Sequence, residues 1–364
     1  MTQSALVVHW GRTGGGPAFT LELVRAMRAG DPGVGAQYNA DADVAGELSA
    51  AAPGSMAVRT YRDRLTFVTH SWRLLVNGIA TRRHVRRHRV DRVVTAMESV
   101  YQSLVVPWVL PRGVTYVVVV HDAQEHPGDE HVLKRVGRRF ELRRADVVVT
   151  LSQSVTDALV RDHGVDASRI RTLFHPAAAV SIAAGRPGPR ATPVVGFVGR
   201  LLPYKGLDTF VDAARLVRQA EPSARFGIWG DGPEGAAPRG TDLVDWNVGW
   251  VAPERLLAVI DSLDVVVLPY AEASQSGIVG LAMARGVPCV VTPVGGLSEQ
   301  VASGGCGIVA EDVGAEAVAA AVLDVLRDRG TYAALSHGGL AASRTTRSWS
   351  AFAAAIAAVS PEAA

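Results

Sequence analysis

The sequence predicts an α/β protein of two Rossmann-like domains facing one another across a cleft, and three observations carry that prediction. The chain has 364 residues, more than one hydrophobic core organises, so two domains of roughly 150 to 200 residues are expected. Short β-branched runs recur at intervals filled by Ala/Leu/Arg-rich helical patterns, the signature of parallel sheets covered on both faces. Between the fourth and fifth runs lies 182–193, where Gly185, Pro187, Gly188, Pro189 and Pro193 oppose both helix and strand. That stretch reads as a linker between a first domain over 1–181 and a second over 194–344. Ligands of such sheets bind beyond the carboxyl ends of the strands, which places the chemistry in the cleft.

Ala5–Val8 opens the first half and runs into His9-Trp-Gly-Arg-Thr-Gly-Gly-Gly-Pro17. The glycines, Gly15 and Gly16 among them, let backbone approach a ligand, and Pro17 suits the first position of the next helix. A tight turn without a ligand explains them as well. The spacing is not G-x-G-x-x-G, so a nicotinamide dinucleotide fingerprint is missing. Asp41 and Asp43 spell an acidic pair, but no strand is expected to lead into them and they receive no role. Arg82, Arg83, Arg86, Arg87, Arg89 and Arg92, opposed only by Asp91, predict a surface helix over 81–92. Its arginines suit a solvated face. After the strand Val93–Ala96, the strand Tyr116–Val120 ends in His121-Asp122, an imidazole and a carboxylate at the carboxyl edge of the sheet. Val147–Leu151 follows, and Ser152 caps the helix after it.

The second half repeats the plan with Val194–Val198, which delivers Gly199 and Arg200 into a loop. Lys205 follows, and Gly206 opens a helix near Asp208. Two cations at a helix N-terminus beside glycines form a pyrophosphate clamp. Only two of the 37 cations are lysines, Lys134 and Lys205, so a lysine kept here against that bias is informative. The strands Arg225–Trp229 and Val265–Leu268 come next. Gln275-Ser276-Gly277 then opens a helix of small apolar residues, 278–284, whose N-terminal amides would meet an anion. The strand Val287–Thr292 and an apolar-faced helix over 349–359 complete the pattern.

Composition narrows the function. Lys plus Arg is 37 against 35 Asp plus Glu, a formal net charge of +2, which argues against a dedicated nucleic-acid binder. Two cysteines, Cys289 and Cys306, make no disulfide framework, and no Cys/His spacing resembles a zinc site. No stretch reads as a signal peptide or a membrane span, so a cytoplasmic protein is expected.

The motifs together resemble the glycosyltransferases of the GT-B fold, and within them family 4, the retaining enzymes that use nucleotide-activated sugars. The likeness rests on the Gly-rich first turn, the strand ending in His121-Asp122, Gly199-Arg-x-x-x-x-Lys-Gly206, Gly230-Asp-Gly232, Leu268-Pro-Tyr, Ala282-x-x-x-Gly-x-Pro288 and Gly295-Gly-x-x-Glu299. It implies that Arg200 and Lys205, with Gly199 in their loop, hold the donor diphosphate and that Ser276 and Gly277 contact phosphate through backbone and hydroxyl. His121 would line the reaction centre near the sugar, and Gly15 and Gly16 would approach donor or acceptor from the opposite wall. It also implies a nucleotide-sugar co-substrate of UDP or GDP type, no cofactor or metal, a carbohydrate or small-molecule acceptor, and a final helix at about 345–364 that crosses back to the first domain; related enzymes that act on lipid-linked acceptors dock on anionic membranes, which would give Arg82–Arg92 peripheral membrane contact at about 1 kcal/mol per cation as the alternative to a solvated face. One departure stands out. The family carries two glutamates eight positions apart, but Leu281 occupies the second place, where ribose is recognised, and Glu272 lies one residue out of register for the first. Ser-Gln-Ser-Gly variants resemble a subgroup of the same family. A catalytically silent nucleotide-sugar-binding subunit and a GT-B-like sugar-nucleotide epimerase are the alternatives.

Overall fold

The computed structural model describes residues 4–124, 132–233 and 242–361, and the chain divides into two units, Met1–Leu173 with Trp349–Ala364, and Phe174–Ser348. The first unit runs β1 (Ala5–His9), α1 (Gly15–Gly30), β2 (Val34–Asn39), α2 (Ala45–Ala51), β3 (Met56–Val58), α3 (Arg64–Thr69), α4 (Arg73–His88), β4 (Arg92–Thr95), α5 (Val100–Val109), β5 (Thr115–Val120), α6 (Val132–Arg144), β6 (Val147–Thr150), α7 (Gln153–His163) and β7 (Ile170–Thr172). Among the described residues its strands form one parallel sheet in the order β3-β2-β1-β4-β5-β6-β7. The order reverses between β1 and β4, so the crevice that binds ligands in such sheets lies beyond His9 and Thr95.

The second unit runs β8 (Val194–Val198), α8 (Leu207–Ala220), β9 (Arg225–Gly230), β10 (Val244–Val248), α9 (Pro253–Ser262), β11 (Val265–Leu268), α10 (Gly277–Ala284), β12 (Cys289–Val291), α11 (Gly295–Gly304), β13 (Gly307–Val309), α12 (Ala315–Arg327) and α13 (Arg329–Arg344). Its parallel sheet has the order β10-β9-β8-β11-β12-β13. Valines of β8, β11 and β12 are buried between the helices, as a strand covered on both faces requires.

Two expectations change. The stretch 182–193 is part of the second unit rather than a free linker. Arg186 donates to the carbonyls of Leu263 at 2.5 Å and Asp261 at 3.1 Å. The buried carboxylate of Asp264 accepts from the Arg190 amide and Nε, both at 3.1 Å, and from the Val194 amide at 2.7 Å. Pro and Gly prevented regular structure there, but not packing, because side chains satisfy the backbone. The basic helix is also displaced: α4 ends at His88, with Arg89 left-handed at φ 49°. Arg92 instead starts β4 and donates to the carbonyls of Ile356 and Ala357, both at 2.7 Å.

Those carbonyls close α14 (Trp349–Ala358), which belongs to the first unit. A cation on the last free carbonyls of a helix satisfies both their hydrogen bonds and the helix dipole. Phe19 of α1 meets Trp349 edge-on at 4.9 Å and Phe352 at 5.7 Å between ring centres.

Asp264→Ala should leave the Val194 amide and Arg190 unsatisfied and cost about 3 kcal/mol. The expected result is a lower melting temperature with new proteolytic cleavage inside 182–193, and unchanged cleavage would show that Asp264 does not hold the stretch.

Candidate functional site

In the second unit the loop after β8 is built by backbone contact. The Gly199 amide donates to the Trp229 carbonyl at 3.0 Å and the Leu201 amide to that of Asp231 at 2.7 Å. A Cβ on Gly230 would stand 1.7 Å from the Gly199 oxygen, and one on Gly232 would stand 2.5 Å from that of Leu201. Gly230-Asp-Gly232 therefore clamps the loop that carries Arg200. Arg200 is exposed, with Nη2 donating to the Tyr204 hydroxyl at 3.3 Å. One 3₁₀ turn, Pro203–Lys205, leads to Gly206 at φ 69°, where a Cβ would lie 1.8 Å from the Pro269 oxygen.

Lys205 Nζ sits 3.6 Å from the ring centre of Tyr270 and 4.9 Å from that of Tyr204. Tyr270 is fully buried, and burial pushes its phenol far above the ordinary range, so the ammonium meets a neutral ring face. The Tyr270 hydroxyl lies 3.5 Å from Ser276 Oγ.

Ser276 caps α10, its Oγ accepting from the Ile278 amide at 3.3 Å. Its own amide is already committed, donating to Gln300 Oε1 at 3.0 Å, while Gln300 Nε2 returns a bond to the Ser276 carbonyl at 3.1 Å. Gly277, the next residue, is exposed, with nothing within 4 Å of a built Cβ. The two helix ends differ electrically. Asp208 fills the first turn of α8, whereas α10 opens with Gly277, Ile278 and Val279 and offers its positive end to an anion. Glu272 is exposed, and Leu281 is buried in the core.

In the first unit, Gly14 caps α1 at φ 84°, Gly15 and Gly16 start it, and Pro17 is its third residue rather than its first. Gly15 has open space around it. At Gly16 a Cβ would lie 2.4 Å from His9 Nε2, so the missing side chain there makes room for an imidazole. His9 is buried, its Nδ1 3.0 Å from the Met97 carbonyl, and burial holds its pKa down to about 4. A strand, β2, does lead toward Asp41, hidden in the sequence by Gln37 and Asn39, but the Asp41 carboxylate is taken by Arg62 at 3.1 Å.

His121 stands just past β5, buried, with Nε2 3.1 Å from the Ala96 carbonyl and its ring edge-on to Phe19 at 4.6 Å. Behind it lies a polar cluster that sequence reasoning missed. Arg138 of α6 donates to the Ala123 carbonyl and to Glu98, each at 2.7 Å, tying the ends of β4 and β5 together. Glu141, one turn along, accepts from Tyr116 at 3.2 Å and Gln102 at 3.3 Å. Burial first, then the charge of Glu98, pushes its pKa up to about 8. Glu98, His121, Asp122, Arg138 and Glu141 line one cavity of about 140 Å³. The only sequence signal was an Arg and a Glu three apart on a helix, a pattern that usually marks a solvated pair.

Glu141 binds its proton more tightly folded than unfolded. The stability it contributes is therefore full below about pH 4.5 and declines as pH rises toward about 8. His9 works in the opposite sense, its contribution being lost as pH falls from 6.5 toward about 4. Glu141→Gln should remove the first dependence, so the melting temperature of the variant relative to the parent should rise between about pH 5 and 8. An equal difference at both pH values would show that Glu141 does not take up a proton on folding.

Comparison with known proteins gives two family matches, residues 13–176 to Glycosyltransferase Family 4 and residues 192–328 to Glycosyl transferases group 1. The chain is 30% identical to a D-inositol 3-phosphate glycosyltransferase of Rhodococcus jostii (strain RHA1), over 57% of this chain and 50% of that one. It is 33% identical to a 2-deoxystreptamine N-acetyl-D-glucosaminyltransferase of Streptomyces fradiae, over 48% and 45%. The matches thus span about half the length of these relatives. Among solved structures, Anabaena HepE in complex with UDP-glucose superposes with a TM-score of 0.71 at 16% identity, over 97% of this chain and 98% of that one. Sucrose-phosphate synthase from Thermosynechococcus elongatus superposes with a TM-score of 0.70 at 18% identity, over 98% and 97%.

Proposed function

We propose, for a chain that belongs to the family 4, group 1 glycosyltransferases and has their GT-B architecture, that it moves a sugar from a nucleotide-sugar donor to a hydroxylated acceptor with retained anomeric configuration. The observation that carries the reading is the cationic loop of the second unit, with Arg200 and Lys205 flanking a clamped turn and Lys205 resting on Tyr270. In this reading Arg200 and Lys205 take the donor diphosphate, and the Gly277 amide adds the positive end of α10. Fixed cations stabilise a departing nucleoside diphosphate most when its charge develops, which raises turnover and needs no metal. His121 is the first unit's candidate for contact with the sugar.

A UDP-type donor is favoured by the UDP-glucose complex of Anabaena HepE, with a GDP-type donor as the alternative. The names of two relatives, which act on inositol 3-phosphate and 2-deoxystreptamine, make cyclitols the first acceptors to try among glycans, lipid-linked sugars and small natural products. A cytoplasmic location belongs to the same reading, supported by two buried free thiols, Cys289 and Cys306.

The second reading is a silent nucleotide-sugar-binding subunit, favoured by Leu281 being core rather than a ribose contact. Donor binding without hydrolysis or transfer would select it.

Lys205→Ala should leave folding nearly intact yet lower turnover by about a hundredfold, the scale of one lost preorganised electrostatic donor. Arg200→Lys should be nearly as damaging, since a point charge does not reproduce a planar fork. Leu281→Ala should cost about 2–5 kcal/mol of stability instead, with donor affinity kept in the folded fraction. Normal UDP and GDP affinity together with normal transfer in Lys205→Ala would remove this loop as the donor site.

A further inference from the structure

Helices α1 and α14 pack side by side in the first unit, but they fill the space between them at one end only. At their N-terminal ends the rings of Phe19, Trp349 and Phe352 meet edge-on, with centres 4.9 to 6.0 Å apart. Towards their C-terminal ends the side chains are small, Ala26 and Ala29 on α1 and Ala353, Ala354 and Ala357 on α14. Residues 353, 354 and 357 stand at helical spacing and make one stripe. Between these helix ends and the amino edge of β1, β4 and β5 lies a cavity of about 700 Å³, closed on the sheet side by Ala5, Arg92 and Thr115. Protein interiors leave few voids larger than a water molecule. Clefts that take small ligands run to about 300–1,000 Å³ and have mostly apolar walls, as this one does.

The cavity is distinct from the crevice beyond His9 and Thr95. Strand β1 begins at Ala5 beside the cavity and ends at His9, and at about 3.3 Å per residue the two places are about 13 Å apart. Its electrostatics are also its own. The C-termini of α1 and α14, each the negative end of its helix, meet there. Asp31 and Asp91 stand exposed at the rim. The Ser4 hydroxyl and then the Gly33 amide hold the Asp31 carboxyl below the ordinary carboxylate range, so it is ionised at neutral pH. Arg92, the one cation among the described lining residues, places Nη1 on the Ile356 and Ala357 carbonyls, and its charge offsets the end of α14. Arg28, which is not part of the lining, is bonded to the carbonyls of Pro32 and Val34. Two carboxylates and the end of α1 are left to set the sign of the field.

We propose that the cavity between the C-terminal ends of α1 and α14 is a binding site for a small molecule with an apolar body and one protonated amine, the body lying along the alanine walls and the ammonium at the rim with the carboxylates of Asp31 and Asp91. A carboxylate in the same place would meet like charges and the negative end of α1. A neutral molecule would gain the walls alone. Nothing in the proposal depends on the transfer reaction or on the Lys205 loop.

Three fluorescent probes that share one apolar body test it: dansylcadaverine, which carries a primary amine, N-pentyl dansylamide, which is neutral, and dansyl-6-aminohexanoic acid, which carries a carboxylate. Titrated into the full chain, the amine should bind saturably with blue-shifted emission, about tenfold more tightly than the neutral probe, and the acid should bind most weakly. Ala354→Leu combined with Ala357→Leu, both at exposed positions, should fill the cavity and abolish binding without lowering the melting temperature. Asp91→Asn should bring the amine close to the affinity of the neutral probe and leave the neutral probe unchanged. UDP and GDP should not displace the amine. No saturable binding would overturn the proposal, as would an amine that binds no better than the neutral probe. Binding kept in the Ala354/Ala357 variant would place the probe elsewhere and overturn it too, and displacement by UDP would do the same. A chain that is dimeric without probe and monomeric in that variant would also overturn it, by assigning the cavity to a second copy.

Discussion

The candidate donor site depends on one contact, the ammonium of Lys205 over the buried ring of Tyr270. Tyr270 follows β11 in a sheet covered on both faces, its carbonyl accepts from Thr292 at 2.6 Å, and its hydroxyl reaches toward Ser276. The same residue thus meets the cationic loop, the cap of α10 and the end of the strand before it. A lysine has four rotatable bonds and loses much entropy when fixed. A neutral aromatic face at 3.6 Å offsets part of that loss and holds the cation for the diphosphate contact proposed for it.

The first unit reaches rigidity differently, with a buried polar network. Arg138 joins the backbone after β5 to the carboxylate after β4, and the neutral Glu141 behind it gathers Gln102 and Tyr116. A buried carboxyl that stays protonated avoids placing two adjacent negative charges beside one arginine. His121 therefore stands on a strand end fixed by hydrogen bonds from two neighbouring elements, not on a free loop.

The sequence made the second site legible because its residues are local. Gly199, Arg200, Lys205 and Gly206 fall within eight positions, and Gly206 stands where a Cβ would meet the Pro269 carbonyl oxygen. The parallel strands β1, β5, β8 and β11 were legible as unbroken apolar runs. What stayed hidden was held by distant partners. β2 reads Val-Gly-Ala-Gln-Tyr-Asn, and its polar residues are buried only because Thr81 and Thr60 lie 44 and 21 residues away. Gln300 brackets Ser276 with its amide from 24 positions on, a pairing that no local pattern signals.

Gln300 also bears on the departure at Leu281. With Leu281 in the core and Glu272 in solvent, the nearest acid to Lys205 in its own sequence is Asp208 in the first turn of α8. The Ser276 turn is then held by a neutral amide, which supplies both a donor and an acceptor where a carboxylate would supply acceptors alone. A neutral brace fixes the cap of α10 without opposing the positive end of that helix. Leu281 in the core and the proposed anion site are therefore compatible in one structure, because that site rests on Arg200, Lys205 and the N-terminus of α10.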